Sequence, residues 1–196
     1  GHNHDIDKRP FPYDPVKAKQ LMAAAKAAGA PIDSEIWLVG RIGLYPNSTE
    51  VLEAAMAMWQ SIGLSNLKLK VVDQGQWRAF NYPPYSPDRP PLLFNISHDN
   101  ANGDAVFTVA NNFSCGGGQS FVCDPTLDGL IKKATGLTGE ERAKTWQEAF
   151  RVIYEDLVSN VFIHHPVAYM RVGSRVSFKP QRPTNIELPL ANITFK

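Results

Sequence analysis

Cysteine is scarce in this 196-residue chain, and neither sign of charge dominates it. Twenty Lys and Arg against 19 Asp and Glu leave a formal net charge of +1. A nucleic-acid-binding domain normally carries a clear basic excess, so the balance argues against that class. No apolar run approaches the roughly 18 residues that a membrane-spanning helix needs. The opening, Gly1-His2-Asn3-His4-Asp5, has no charged region followed by an apolar stretch, so no signal peptide is expected there. That absence fits a cytosolic protein or a chain that starts downstream of its signal. Catalytic and cofactor motifs are missing as well. Gly116-Gly117-Gly118 is followed by Gln119, with no phosphate-loop lysine, and H-E-x-x-H does not occur. Gly118-Gln119-Ser120 begins like a nucleophile elbow, but Val122 stands where the closing glycine belongs. No cofactor and no metal site are expected.

The two cysteines, Cys115 and Cys123, lack paired C-x-x-C spacing, and no histidine lies in the segment between them. Their spacing leaves two alternatives open, a disulfide across a short loop or two free thiols in a reducing compartment. Four N-x-[ST] matches, at Asn47, Asn95, Asn112 and Asn192, matter only in a glycosylating secretory pathway.

What is present reads as a folded, soluble domain. Hydrophobic residues make up 43% and charged residues 20%, and ten Phe, six Tyr and four Trp are too many aromatics for a disordered chain. Asp14 caps a first helix, with Pro15 at its first position and Ala18, Leu21, Met22, Ala25 and Ala28 at helical spacing. Residues 35–42 read as a buried strand. Asn47 and Glu50 form a capping-box-like start for a second helix, with a stripe of Val51, Leu52, Ala55, Met58, Trp59 and Ile62. Leu67 to Val72 is a strand with Lys68 and Lys70 alternating outward. A short helix over 76–82 and a proline-rich loop over 83–91 lead to a strand at Leu92–Ser97. Asp124-Pro125 starts another helix, and Thr138 with Glu141 makes a capping box for the longest one. Strands are expected at Val161–Val172 and Ile186–Phe195. Alternating strands and helices predict an α/β fold with a mixed sheet flanked by helices, in a single domain spanning residues 1–196.

Three sets of residues are candidates for chemistry. The run His98-Asp99-Asn100-Ala101-Asn102-Gly103-Asp104 follows a strand's C-terminal end, where ligands sit in open α/β sheets. His98 and Asp99 would form an acid–base pair only with a nucleophile within reach, and the sequence supplies none. In a structural reading, Asp99 and Asp104 make turns and cap a helix near Ala105. In a third, one carboxylate faces a ligand's cation. His164-His165-Pro166 lies within an apolar run and reads as structural, since adjacent strand residues face opposite ways and do not share a metal easily. His2 and His4 carry no assigned function. Trp59, Trp146 and Phe150 read as core, and Trp37 and Trp77 either line a pocket or, as expected of large aromatics, are buried.

The order of several segments resembles the peptide-binding family of ABC transporter solute-binding proteins, the dipeptide, oligopeptide and nickel type. The resemblance is carried by Tyr13-Asp14-Pro15-Val16-Lys17-Ala18-Lys19-Gln20-Leu21 and Met58-Trp59-Gln60-Ser61-Ile62-Gly63-Leu64. It continues through Lys68-Leu69-Lys70-Val71-Val72, Trp77, Phe113-Ser114-Cys115 and Cys123-Asp124-Pro125-Thr126-Leu127-Asp128-Gly129-Leu130-Ile131. Glu141-Arg142-Ala143-Lys144, Tyr154-Glu155-Asp156 and His165-Pro166-Val167 complete it.

The resemblance implies the C-terminal ligand-binding lobe of a longer, two-lobed protein with a type II periplasmic-binding-protein fold. It implies a periplasmic or cell-surface location, a short peptide as ligand, and ABC permease subunits as partners. Any tie to the membrane would run through the permease or a lipid anchor. It also implies a Cys115–Cys123 disulfide, because some family members bond two cysteines flanking the equivalent loop. The family's ligand-contacting aspartate follows a strand reading G-W-x-x-D. Here the stretch is Asn95-Ile96-Ser97-His98-Asp99, so Asp99 takes that place. Asn95 and Ile96 depart from Gly-Trp, the turn is one residue longer, and Asp104 competes for the role. His98, Asn100, Phe113 and Tyr85 are the candidate helpers. An opine, an oligosaccharide or a nickel chelate are the alternative ligands, and hydrolysis by His98 and Asp99 is the enzymatic alternative.

Overall fold

The computed structural model describes residues 10–100, 103–165, 167, 169–179 and 190–196. They fall into two compact units, one within Arg9–Ser97 and the other within His98–Lys196.

The first unit opens with α1 (Pro15–Ala27), whose start is set by Asp14: its carboxylate accepts from the Lys17 N–H at 2.8 Å, and Pro15 needs no N–H partner there. Only Ala18, Met22 and Ala25 of the expected stripe are even half-buried, and Leu21 is exposed. A parallel three-stranded sheet follows, in the order β2 (Leu67–Val72), β1 (Ile36–Arg41), β3 (Leu92–Phe94). The register sets Ile36 against Leu67, and Trp37 between Lys68 and Leu92. Parallel neighbours need crossovers, and α2 (Ser48–Ser61) and α3 (Gln74–Asn81) supply helical ones. Leu52 of α2 packs on the face of β1 that carries Gly40, while Phe80 and Trp77 of α3 meet Trp37 and Phe94 on the other. Covered on both faces, β1 buries consecutive residues, Leu38 and Val39.

Three details of this unit differ from expectation. Asn47 does precede α2, but it adopts a left-handed backbone (φ 61°) and its side chain makes no capping bond, so the capping box is not formed. Met58 on the expected inner stripe is exposed. The third strand is three residues long rather than six. Asn95 still donates its N–H to the Val39 carbonyl at 2.8 Å, and the chain then leaves the sheet.

The second unit is built on α4 (Ala105–Phe113), α5 (Pro125–Thr135) and α6 (Gly139–Arg151), the last continuing into a π-helical turn at Val152–Leu157. Asp124 caps α5 by accepting from the Leu127 N–H at 2.7 Å, again ahead of a proline. Thr138 precedes α6 but makes no side-chain cap, so this second capping box is also absent. The core gathers Val109 and Phe113 from α4, Leu127, Ile131 and Ala134 from α5, and Trp146, Ala149, Val152 and Ile153 from the last helix. Between α4 and α5, Cys115 and Cys123 are joined by a disulfide. The loop it closes is held down by the Cys115 N–H on Asp128 Oδ1 (3.0 Å) and the Asn111 amide on Gln119 Oε1 (2.7 Å). Gly117 comes so close to α4 that a Cβ would stand 2.6 and 2.7 Å from the carbonyl oxygens of Asn111 and Ala110, so only glycine fits.

Of the strands expected at the C-terminal end, little is formed among the described residues. Residues 161–172 have no strand among the described residues, and Val161, Phe162, Ile163, Val167 and Tyr169 are exposed. His164 and His165 are exposed there too, not buried as core histidines. The expected strand over Ile186–Phe195 begins outside the described residues; its end supplies β5 (Thr194–Phe195), antiparallel to β4 (Val176–Ser177). His2, His4, Pro166 and Ala168 also lie outside the described residues. The fold is α/β, with a parallel sheet covered by helices in the first unit and a two-stranded antiparallel sheet in the second.

Candidate functional site

The loop that opens the second unit carries four of the six candidate ligand contacts: His98, Asp99, Asn100 and Asp104. Helix α4 organises it. Asp104 is the N-cap, its carboxylate accepting from the Val106 N–H at 2.9 Å. Its own N–H donates to Asn100 Oδ1 at 3.2 Å, which folds the loop back on itself. Arg142, from the first turns of α6, donates to the same Asp104 carboxylate at 2.8 Å. The Arg142 hydrogen bond, followed by that from Val106, holds the Asp104 carboxyl below its ordinary pKa. Asp104 is therefore a structural anion that joins the loop, α4 and α6.

His98 is held differently. Its ring stacks on Phe107, with centroids 5.6 Å apart and planes 25° from parallel, and its Nε2 shares a 2.9 Å hydrogen bond with the Thr108 hydroxyl. Both partners lie in the first turns of α4. Packing lowers the ring's pKa below the ordinary histidine value, and the charge of Asp99 opposes that shift. Asp99 itself is exposed, and no described residue forms a hydrogen bond or ion pair with its carboxylate. One loop thus presents a tethered imidazole, a carboxylate open to solvent and a carboxylate already neutralised.

Two candidates lie elsewhere. Phe113 is at the far end of α4, about 12 Å along the helix axis from Ala105, and its ring belongs to the hydrophobic core. Tyr85 is in the other unit, half-buried, with its hydroxyl 3.5 Å from the Asn81 carbonyl and the Arg89 guanidinium over its ring at 3.9 Å. Three residues that sequence reasoning missed, Phe107, Thr108 and Arg142, do shape the loop. The first two were accessible in principle: a helix starting at Ala105 turns its third and fourth residues back towards the segment before it. Arg142 had no such signal, being 38 positions from its partner.

The first unit holds a separate concavity. Trp37, Lys70, Val72, Gln76, Ala79 and Phe80 line an open pocket of about 240 Å³. Lys70 sits 4.9 Å over the Trp37 ring, and the Trp37 indole N–H donates to Glu35 at 2.6 Å. Of the two ambiguous tryptophans, Trp77 is buried and Trp37 lines this pocket.

Comparison with known proteins identifies the relatives of this chain. No family model matches it. Heme-binding protein A of Haemophilus influenzae is 28% identical over 179 residues, covering 88% of this chain and 30% of the relative. The dipeptide-binding protein of Pseudomonas aeruginosa is 25% identical over 187 residues, 89% of this chain and 33% of the relative. Di/tripeptide-binding protein 3 of the same species is 26% identical over 173 residues, 84% and 31%. The chain is a relative of these bacterial binding proteins. It spans about a third of the length of the curated relatives it matches. The family resemblance read from the sequence is borne out, and an α/β lobe suits such a relative. All three relatives are named for binding, not for catalysis.

The local chemistry can be judged beside that kinship. A hydroxyl at 2.9 Å from a histidine has the reach of a nucleophile–base pair, but such a pair also needs a third group orienting the imidazole through its other nitrogen. No described residue makes that bond to His98. The Thr108 contact instead fixes the ring to α4. No group of three or more metal-ligating side chains is assembled among the described residues, and no described helix is long and apolar enough to cross a membrane.

Proposed function

We propose that residues 1–196 form the C-terminal ligand-binding lobe of a longer, two-lobed solute-binding protein. It captures a short peptide outside the cytoplasm and presents it to the permease of an ABC importer. Asp99 receives the peptide's α-ammonium group, and His98 and Asn100 hold the loop that presents it. The observation that carries this reading is the contrast between the two carboxylates. Asp104 is occupied by Val106 and Arg142, whereas Asp99 is exposed with no hydrogen-bonding partner among the described residues. A carboxylate in a closing, partly desolvated cleft makes a charge-assisted hydrogen bond that also orients its ligand. The kinship to proteins named for dipeptide and di/tripeptide binding supports the choice of ligand class. Ligand bridging two lobes favours the closed form by its differential affinity, and the transporter reads that form.

The test is an NMR titration of this chain with di- and tripeptides. Saturable amide shifts centred on residues 95–107 are expected. Asp99→Asn should weaken a peptide with a free amino terminus by about 1.5–3 kcal/mol, the scale of a hydrogen bond to a charged group, and should spare a neutral sugar. Equal binding by the variant would remove the assigned role.

A second reading takes heme as the cargo, because a relative at 28% identity is named heme-binding protein A. Hemin added to the chain would then give a saturable change in its absorption spectrum that a dipeptide competes away. An unchanged spectrum removes that reading and leaves the peptide one standing.

A further inference from the structure

The pocket of the first unit stands apart from the loop that carries Asp99, and its lining has a chemistry of its own. Helix α3 has eight residues and is about 12 Å long, whereas the edge strand β2, with six, runs about 20 Å. A helix that short leaves part of the strand's face uncovered, and the hollow between them is the pocket of about 240 Å³. Its walls are mostly apolar: Val72, Ala79 and the rings of Trp37 and Phe80, set edge to face with centroids 5.8 Å apart and planes at 81°. Lys70 and Gln76 are the polar lining. The Trp37 ring holds the Lys70 ammonium at 4.9 Å, which places a positive charge at the pocket without neutralising it. No described carboxylate forms an ion pair with Lys70, or with Lys68 two residues earlier on the same face of β2. Glu35 accepts the Trp37 indole N–H at 2.6 Å and does not line the pocket.

We propose that this pocket binds a small aromatic carboxylate, its ring against Trp37 and Phe80 and its carboxylate on the Lys70 ammonium. Size, shape and charge each narrow the choice. The volume of about 240 Å³ lies below the roughly 300 Å³ at which pockets for drug-sized ligands begin, so the ligand is a single ring. Two aromatic rings at right angles offer a face and an edge, and a flat aromatic ligand stacks on one and meets the other edge-on. The ammonium brings three donors and no acceptor, and a carboxylate is the acceptor that makes its hydrogen bond charge-assisted. An amine in the same place would meet a like charge. The selection is therefore opposite in sign to that proposed for Asp99, which takes a cation, and neither proposal depends on the other.

The experiment titrates this chain with sodium benzoate at neutral pH and follows the indole N–H resonance of Trp37 by NMR. Benzyl alcohol, which keeps the ring and lacks the charge, and acetate, which keeps the charge and lacks the ring, are the two comparison probes. Benzoate should move the Trp37 signal saturably. Benzyl alcohol should bind about fivefold more weakly, the scale of a unit-charge interaction at contact distance in water, and acetate should leave the signal in place. Lys70 is exposed on an edge strand, so Lys70→Met keeps the fold. In that variant benzoate should fall to the level of benzyl alcohol, while benzyl alcohol binds as it does to wild type. A Trp37 signal that benzoate does not move, or moves without saturating, overturns the site. Equal affinities for benzoate and benzyl alcohol, or benzoate binding unchanged in Lys70→Met, overturn the role of the charge and with it the carboxylate. A shift by acetate equal to that by benzoate overturns the role of the rings.

Discussion

Asp99 and Asp104 lie five positions apart on one loop, but their carboxylates end in different surroundings. Asp104 begins a helix, so its oxygen meets an N–H that has no partner within the helix, and Arg142 arrives from α6 to share it. Asp104→Ala should destabilise the protein by about 1 kcal/mol, the usual loss of an acidic N-cap, as read by urea denaturation at neutral pH. The pH dependence has a definite sign. Because Arg142 and Val106 depress its folded pKa, Asp104 stabilises the fold fully above its ordinary value of 3.8, and that stabilisation is lost as pH falls through the depressed value. The difference between wild type and Asp104→Ala should therefore narrow in strongly acidic urea titrations, and a difference that grew on acidification would contradict the assignment. Asp99, without such partners, should change stability little when replaced and should change ligand affinity instead. Both aspartates were legible as turn or ligand residues in the sequence. That Asp104 is bound by Arg142 is a tertiary fact.

At the scale of elements, helix starts divide into two groups. Asp14, Asp73, Asp104 and Asp124 all cap through their side chains, whereas Asn47 and Thr138 stand at the cap position without making the bond. The S/T/N-x-x-E pattern gives the right boundary in both failures, because these residues also favour turns for their own backbone reasons. The loop between α4 and α5 is restrained by a disulfide and by two hydrogen bonds. Its disulfide closes nine residues, which in the chain-entropy model is worth roughly 2.6 kcal/mol. Replacing Cys115 and Cys123 by serine together should cost about that much by thermal or urea denaturation. The hydrogen bonds from Cys115 to Asp128 and between Asn111 and Gln119 remain possible in the variant, so the loop should keep its place after the loss. No measurable change would show that the reduced chain already holds this loop closed.

At the scale of the whole molecule, this chain matches about a third of each relative, and under the reading proposed here it holds half of a binding cleft. An intact protein of that length should bind the same dipeptide much more tightly than this chain, because the second lobe adds contacts and closure excludes water. Calorimetry on both measures this, and equal affinities would place the whole site on this chain. The sequence by itself determined the helix boundaries around 15, 48, 105, 125 and 139, the central strand, the polar loop at 98–104 and the kinship with binding proteins. These rest on local physics: proline at N1, caps, 3.6-residue periodicity, and a buried parallel strand that reads as an unbroken apolar run. Tertiary structure alone decided the rest. The apolar segment at 161–172 has a strand's composition, but a strand exists only where a neighbour offers its hydrogen bonds, and composition does not name the neighbour. Likewise the capture of Asp104 by Arg142 depends on where a distant helix packs, which no local pattern encodes.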